Sequence, residues 1–302
     1  MITKVEKIQK AIEAIKKDRP EYVQMLDLFG KIMIKQAEFL DKVKVDFVKI
    51  AEMDARSKLK KGTPLLSRED FHIDLPNASL LFEEIIRIIK SEGHELTDEL
   101  GEIEEALENG DLPIEEILQS ALTDSSRVSR IAEELSLDDG ALFMLATISI
   151  RPSIEANAAQ IQGIVEDATW SKHYCPVCGS SPAISELRKL EPTGSIEGAT
   201  SEGAERILHC SFCGTQWRSM RLGCLFCDNS DQEFMEYLYT EEEKGYRIDV
   251  CKKCNKYIKT VDTREISHEI VPPLEDVATM HLDIIAEEEG YKREAWFMPY
   301  GI

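Results

Sequence analysis

The chain has 302 residues, 43% of them hydrophobic and 31% charged, and a formal net charge of −21. That is too much apolar material for a disordered chain, and the length suits one or two domains. The acidic balance argues against general nucleic-acid binding and against anionic membranes, since both partners are themselves polyanions.

The opening residues Met1-Ile2-Thr3-Lys4-Val5-Glu6-Lys7 lack the apolar core of a signal peptide. Ile2, Val5, Ile8, Ile12 and Ile15 recur at a spacing of three to four and predict a first helix. Pro20 suits the first turn of a second, whose stripe runs through Tyr22, Met25, Phe29, Ile32, Met33 and Leu40, with helical spacing continuing to about Leu59. Gly62, Pro64 and Pro76 predict a loop. Ser79 to Lys90 is apolar-periodic again, with Gly93 as a stop, and Thr97 to Glu108 is a short acidic helix closed by Asn109-Gly110. Further helices start at Pro113 and Thr123, and another runs from Asp138 to about Ile150. Pro152 predicts a break or kink, followed by a helix over Glu155 to Ala168. The longest apolar-looking run, Ala141 to Ile150, is ten residues and contains Thr147 and Ser149. A spanning helix needs roughly 20. The expectation is a soluble, cytoplasmic protein with no membrane insertion.

Residues 1–169 therefore read as an α-helical bundle. Charge is uneven within it: residues 1–61 carry +5 and residues 92–139 carry −14. These are either two solvated faces of opposite sign or, for the acidic stretch, a dock for a basic segment of a partner. Residues 170–265 look like short β-structure, with strands over Met235–Tyr239 and Tyr246–Val250 and a turn near Lys244-Gly245. The polar, glycine-rich stretch around residues 191–204 reads as a mobile loop tip. Residues 266–302 return to helix over Leu274–Glu289, stopped by Gly290. The fold class is α+β: a helical domain, a metal-binding domain and a C-terminal helix with a tail.

All eight cysteines lie in the middle region, as four C-x2-C pairs: Cys175/Cys178, Cys210/Cys213, Cys224/Cys227 and Cys251/Cys254. Two tetrahedral four-thiolate sites need eight ligands. The residue after each pair is Gly179, Gly214, Asp228 or Asn255. These residue types best tolerate the left-handed backbone that a metal knuckle requires after its second cysteine. Sequential pairing predicts site one from Cys175, Cys178, Cys210 and Cys213, and site two from Cys224, Cys227, Cys251 and Cys254. Each is a rubredoxin-like or zinc-ribbon module; an interleaved arrangement is the alternative. Thioredoxin-type dithiols need a CxxC at a helix start in a βαβ setting, and none is evident. Four thiolates suit zinc and iron alike, so the cofactors are two metal ions, iron or zinc. Arg218, Arg221, Lys252, Lys253, Lys256 and Lys259 lie near the ligands in sequence. They either offset the thiolate charge, the favoured reading, or form a patch that touches a partner.

Four motifs and a tail resemble the FdhE family of formate dehydrogenase accessory proteins. The motifs are Tyr174-Cys-Pro-Val-Cys-Gly179, Leu208-His-Cys-Ser-Phe-Cys-Gly-Thr-Gln-Trp217, Cys224-Leu-Phe-Cys227 and Cys251-Lys-Lys-Cys-Asn-Lys-Tyr-Ile-Lys259. The tail is His281-Leu-Asp-Ile-Ile-Ala-Glu-Glu-Glu-Gly-Tyr-Lys-Arg293. The resemblance is strong over residues 174–293 and looser before them, where Ile150-Arg-Pro152 agrees. The insert at 191–204 departs from the family pattern. The resemblance implies a cytoplasmic protein that helps mature respiratory formate dehydrogenases and binds their catalytic subunit before export. It also implies a helical domain joined to two rubredoxin-like modules, with iron associated with the cysteines.

The remaining candidates are partner contacts: His209, Trp217, Arg218, His281 and Asp283. His209 adjoins a ligand, so a hydrogen bond behind the ligand shell is the alternative. Trp217 has packing over the metal module as its alternative. His281 and Asp283 lie two apart, and on a helix they face different directions. No G-x-x-x-x-G-K-[ST], G-x-S-x-G or H-E-x-x-H is present. The reading is a non-enzymatic accessory protein. The other classes are a rubredoxin-type iron redox protein and a zinc-ribbon module binding nucleic acid or protein.

Overall fold

The computed structural model describes residues 2–93, 97–166, 170–189, 204–240, 243 and 245–295. They group into two compact bodies: residues 2–50 with 66–162, and residues 51–65 with those described between 163 and 295. The sequence placed 51–65 in the helical region and set 266–302 apart. In the structure both 51–65 and the described tail belong to the metal-binding body.

The first body is a helical bundle. α1 (Lys4–Asp18) opens on a capping box in which Thr3 and Glu6 satisfy each other's backbone N–H groups. Pro20–Tyr22 forms a single 3-10 turn, and α2 (Val23–Leu40) follows. The helical spacing to Leu59 does not hold as one helix. Val43-Lys44-Val45-Asp46-Phe47-Val48 alternates polar and apolar residues, three of them β-branched. Its backbone finds partners elsewhere: Lys44 N–H donates to Asp74 Oδ2 at 2.7 Å and Val48 N–H to Gln160 Oε1 at 2.9 Å.

In the same body lie α4 (Leu75–Ser91), α5 (Thr97–Glu108), α6 (Ile114–Thr123), α7 (Ser125–Leu135) and α8 (Asp139–Ala159). Pro76 is not a breaker. It sits in the first turn of α4, behind an Asp74 cap that accepts from Asn77 N–H. α8 contains the long apolar run of the sequence. It is buried along most of its length and touches α2, α4, α6 and α7, as an all-round apolar helix must.

Pro152 does not end α8; the helix runs through it to Ala159. A proline leaves the carbonyl four residues earlier without its helical donor. That carbonyl belongs to Ile148, and the Gln36 side-chain amide of α2 donates to it at 2.9 Å. The helix expected over Glu155–Ala168 is thus the second half of α8 plus a short α9 (Gln162–Glu166).

The second body contains α3 (Glu52–Lys60) and a seven-stranded sheet. The strands are β1 (Pro182–Lys189), β2 (Ala204–Cys210), β3 (Gln216–Ser219), β4 (Met235–Leu238), β5 (Tyr246–Cys251), β6 (Lys256–Asp262) and β7 (Lys292–Arg293). The order is β3-β2-β1-β6-β5-β4, with β7 also pairing β6. Each cysteine module is an antiparallel three-stranded meander, β1-β2-β3 and β4-β5-β6. The expected strands at 235–239 and 246–250 are β4 and β5. The modules are fused into one sheet by parallel pairing of β1 with β6. The stretch expected as a loop tip lies outside the described residues up to position 203, and Ala204 already starts β2.

α3 and its following loop are tied to the first module. Leu65 N–H donates to the Pro176 carbonyl at 2.9 Å, and Tyr174 O–H to the Gly62 carbonyl.

The single helix expected over Leu274–Glu289 is two: α10 (Pro272–Val277) and α11 (Met280–Glu288). The break at Ala278-Thr279 frees carbonyls that the Lys259 ammonium takes, Asp276 at 2.7 Å and Thr279 at 3.3 Å. Gly290 follows α11 with φ +85°, a left-handed stop that glycine adopts without strain. Among the described residues, no helix is long and apolar enough to cross a membrane.

Candidate metal centres

The four C-x2-C turns share one geometry. The residues after them, Gly179, Gly214, Asp228 and Asn255, have φ of +77°, +70°, +55° and +55°, the left-handed backbone their side chains tolerate. The turn brings the chain back on itself. Gly179 N–H donates to the Cys175 carbonyl at 2.9 Å and Asn255 N–H to the Cys251 carbonyl at 2.8 Å. Other amides point at sulfur: Phe212 and Cys213 at Cys210 Sγ, and Phe226 at Cys224 Sγ, each at 3.4 Å.

The sulfurs converge in two sets, Cys175/Cys178/Cys210/Cys213 and Cys224/Cys227/Cys251/Cys254, each with all its sulfurs within 4.8 Å of one another. This is the sequential pairing, and the interleaved alternative is excluded. Cross-pair Sγ···Sγ distances are 3.7 Å (Cys175–Cys213), 3.4 Å (Cys178–Cys210), 3.6 Å (Cys224–Cys254) and 3.8 Å (Cys227–Cys251). They are far beyond the ~2.05 Å of a disulfide. A tetrahedron with metal–sulfur bonds of about 2.3 Å has edges of about 3.8 Å, so both sets fit a four-coordinate ion.

Electrostatics point the same way. Burial pushes the thiols of Cys175 and Cys210 well up, while sulfur contacts, that to Cys175 foremost, hold Cys178 low. Four crowded sulfurs resist ionising together, and a divalent cation at their centre removes that resistance.

The surroundings of the two sets differ. In the first module Ser180 Oγ lies 3.3 Å from Cys178 Sγ, and Thr215 Oγ1 lies 3.1 Å from Cys213 Sγ. These hydroxyls were not among the sequence candidates. Their signal is a Ser or Thr two places after the second cysteine, and the second module has Asn229 and Lys256 there.

The five proposed partner contacts separate by burial. His209 is 2% exposed, and its Nε2 lies 2.9 Å from Glu186 Oε2. Trp217 is buried on β3. Neither presents itself to a partner as expected; both are interior side chains of the first module. Arg218 is exposed and paired with Glu205 at 2.6 Å. His281 is half-buried against Glu243 at 2.7 Å.

Asp283 is buried in an ion network, which removes it as a surface contact. It meets Lys259 Nζ at 2.6 Å, Tyr257 O–H at 2.8 Å and Arg293 Nη1 at 3.1 Å, while Asp276 Oδ1 lies 2.9 Å from Lys259 and also meets Arg293. Two cations and two carboxylates balance. They join β6, β7, α10 and α11, so Asp283 and Arg293 of the tail motif hold the tail on the sheet. Lys259 therefore serves these carboxylates instead of offsetting thiolate charge. Lys252 pairs with Glu236 and Lys256 with Glu294, and Lys256 also feels the charge of Cys254 and Cys224, so it alone of the three lysines retains the expected thiolate-offsetting role.

Comparison with known proteins agrees with this site. The family model described as "FdhE, C-terminal domain" matches residues 222–298. A Protein FdhE homolog of Aquifex aeolicus is 31% identical over 290 residues, 96% of this chain and 93% of that protein. Protein FdhE of Escherichia coli K12 is 28% identical over 250 residues, 81% of this chain and 73% of that one. The crystal structure of the FdhE protein from Pseudomonas aeruginosa has the same fold, with a TM-score of 0.64 at 18% identity, covering 100% of this chain and 99% of the other. With one relative matched over nearly the full length of both chains, and with both four-cysteine sets assembled, this chain belongs to the FdhE family.

Proposed function

We propose that this protein is a cytoplasmic accessory factor for the maturation of a respiratory formate dehydrogenase, and that it binds the catalytic subunit before export. The observation that carries the reading is the pair of four-cysteine centres on one sheet, in a chain that belongs to the FdhE family. The role is non-catalytic toward the substrate of the client. Each centre holds one iron or zinc ion: Cys175, Cys178, Cys210 and Cys213 ligate the first, and Cys224, Cys227, Cys251 and Cys254 the second. Iron would add one-electron chemistry; zinc would confine the centres to structure.

Deleting the gene and assaying respiratory formate oxidation tests the role. Loss of activity, with the catalytic subunit co-purifying with the tagged accessory protein in complemented cells, is the expected outcome. Normal formate oxidation in the deletion strain refutes it. Anaerobic purification from native cells, followed by metal analysis and visible absorption, decides iron or zinc. A zinc-ribbon role on nucleic acid is disfavoured by the charge of −21. Salt-sensitive binding to DNA at physiological ionic strength would reverse that.

A further inference from the structure

The two centres are built on the same knuckle, yet they relieve their thiolate charge by different means. A metal-bound thiolate has no proton to give, so a neighbouring hydroxyl must donate to it. In the first centre Cys178 is the one partly exposed ligand, and Ser180 Oγ lies 3.3 Å from its sulfur. Thr215 Oγ1 lies 3.1 Å from the sulfur of Cys213, which is buried. The two knuckles of this centre are also tied to each other. Ser211 donates to the Ser181 carbonyl from its N–H at 3.3 Å and from its hydroxyl at 2.9 Å.

The second centre has two partly exposed ligands, Cys227 and Cys254. The places of Ser180 and Thr215 are taken here by Asn229 and Lys256. The backbone at Asn229 is equivalent: its carbonyl accepts from Cys224 N–H at 2.8 Å, as those of Ser180 and Thr215 accept from Cys175 and Cys210, each at 2.9 Å. Its side chain turns away from the sulfurs, with Nδ2 donating to the Asp231 carbonyl at 2.9 Å. Lys256 offsets thiolate charge, but it is partly exposed and shared with Glu294, so solvent ions screen it. The counterpart of Ser211 is Lys252, whose N–H goes to the Phe234 carbonyl at 2.8 Å instead of to the facing knuckle. An incoming ligand starts at an exposed, electron-rich sulfur. The second centre offers two of these, and the single partly exposed sulfur of the first carries a hydroxyl.

We propose that the first centre holds its ion as a fixed part of the fold, and that the second is an exchange site, which passes its ion to and from an external soft ligand such as a thiolate. This division rests on the ions proposed above, one for each ligand set. Ser180 and Thr215 are the positioning residues that make the difference, and they act through Cys178 and Cys213. Each donated hydrogen bond draws charge from a sulfur, makes it a poorer base and nucleophile, and holds it toward the ion. Exchange at the second centre is a ligand substitution. Each metal–sulfur bond that breaks is replaced by one to the incoming thiolate, and the released sulfur takes the proton that the incoming thiol gave up, so no electrons move.

Zinc release tests this. The full-length protein is loaded with zinc anaerobically and mixed with an excess of a coloured pyridylazo chelator. Zinc uptake, measured first, reports on the ligand sets, and a chain that takes up fewer than two ions refutes them and the division together. The time course of release reports on the division alone. One ion is expected to leave about ten-fold faster than the other or more. Alkylation by N-ethylmaleimide, read by mass spectrometry, is expected to reach Cys227 and Cys254 with the fast phase. Ser180→Ala combined with Thr215→Val removes both hydroxyls and speeds the slow phase by about 10–100-fold, the range for a lost partner behind a metal ligand, without moving the fast phase. Thr215→Ser alone keeps a hydroxyl and keeps the slow phase. Asn229→Ser brings a hydroxyl to the second centre and slows the fast phase. Circular dichroism of the zinc-loaded variants checks that they fold. Release of both ions in a single phase overturns the proposal. So does a fast phase that alkylates the first set, or hydroxyl removal that leaves the slow phase unchanged.

Discussion

Lys259 is the residue on which the tail of this protein depends. It is 1% exposed, and its ammonium holds Asp276 Oδ1 at 2.9 Å, Asp283 Oδ2 at 2.6 Å and two carbonyls at the α10–α11 break. Lys259→Met keeps the length of the side chain and removes the charge. Of the two cations in the network only Arg293 then remains for the two buried carboxylates, with Tyr257 O–H still on Asp283, and the Asp276 and Thr279 carbonyls lose a shared donor. Breaking a buried ion pair by deleting one partner costs about 3–5 kcal/mol. The assay is urea unfolding of the metal-loaded protein at neutral pH, with metal content measured alongside. A double-mutant cycle isolates the cause. Removing Asp283 as well, as Lys259→Met/Asp283→Asn, leaves Asp276 balanced by Arg293, so the double variant loses less than the sum of the singles, by about 1–3 kcal/mol. A single-variant loss below about 1 kcal/mol, in the range of exposed pairs, or strict additivity in the cycle refutes the network as the clamp on the tail.

Cys251→Ala is expected to lower the metal content from two ions per chain to one, and Cys175→Ala to do the same independently. A variant that keeps both ions contradicts the ligand sets. Gln36→Leu leaves the Ile148 carbonyl without the donor that replaces the one Pro152 lacks, at a cost of about 1–3 kcal/mol; thermal unfolding of this variant beside Pro152→Ala, which restores the helical donor, separates that cause from packing. Glu155 supplies a pH signature. Burial opposes its charge, but Lys4 and Arg151 win and hold its carboxyl at about 2. A depressed folded value stabilises above the unfolded one, and that stability is lost as pH falls from the ordinary carboxylate range toward 2. The depression is worth about 3 kcal/mol at most at neutral pH. Glu155→Gln should therefore flatten the acid limb of the stability profile between about pH 4.5 and 2, and an unchanged limb would rule the ion pair out as its source.

Much of the metal region was legible because knuckle chemistry is local. Four consecutive residues set the turn, and the types at 179, 214, 228 and 255 already declared a left-handed backbone that the structure adopts at all four. Chain length between pairs favoured sequential sets, which the sulfurs form. Helix existence in the first body was equally local, since apolar periodicity recurs every turn. Helix extent was less so. Periodicity ran on through 41–51 because it does not register where backbone groups find outside partners, here Asp74 and Gln160. Pro152 read as a break for the converse reason: its local cost is offset by a glutamine 116 residues earlier in the chain.

What the sequence determined by itself is therefore the two four-cysteine sets, the turn conformation and the class of each region, all consequences of residues near one another along the chain. Only the tertiary structure decided that β1 and β6 fuse the modules into one sheet, that His209, Trp217 and Asp283 are interior, and that Lys259 binds carboxylates instead of offsetting thiolates. The physical reason is that burial and charge pairing depend on what the fold brings within a few ångströms. Lys259 lies five residues from Cys254 in sequence, yet its charge is satisfied by Asp276 and Asp283, which the α10–α11 break delivers from the tail. The opening figures gain a meaning from this: Lys259, Arg293, Asp276 and Asp283 sum to zero, so the net −21 is carried entirely by residues outside that network.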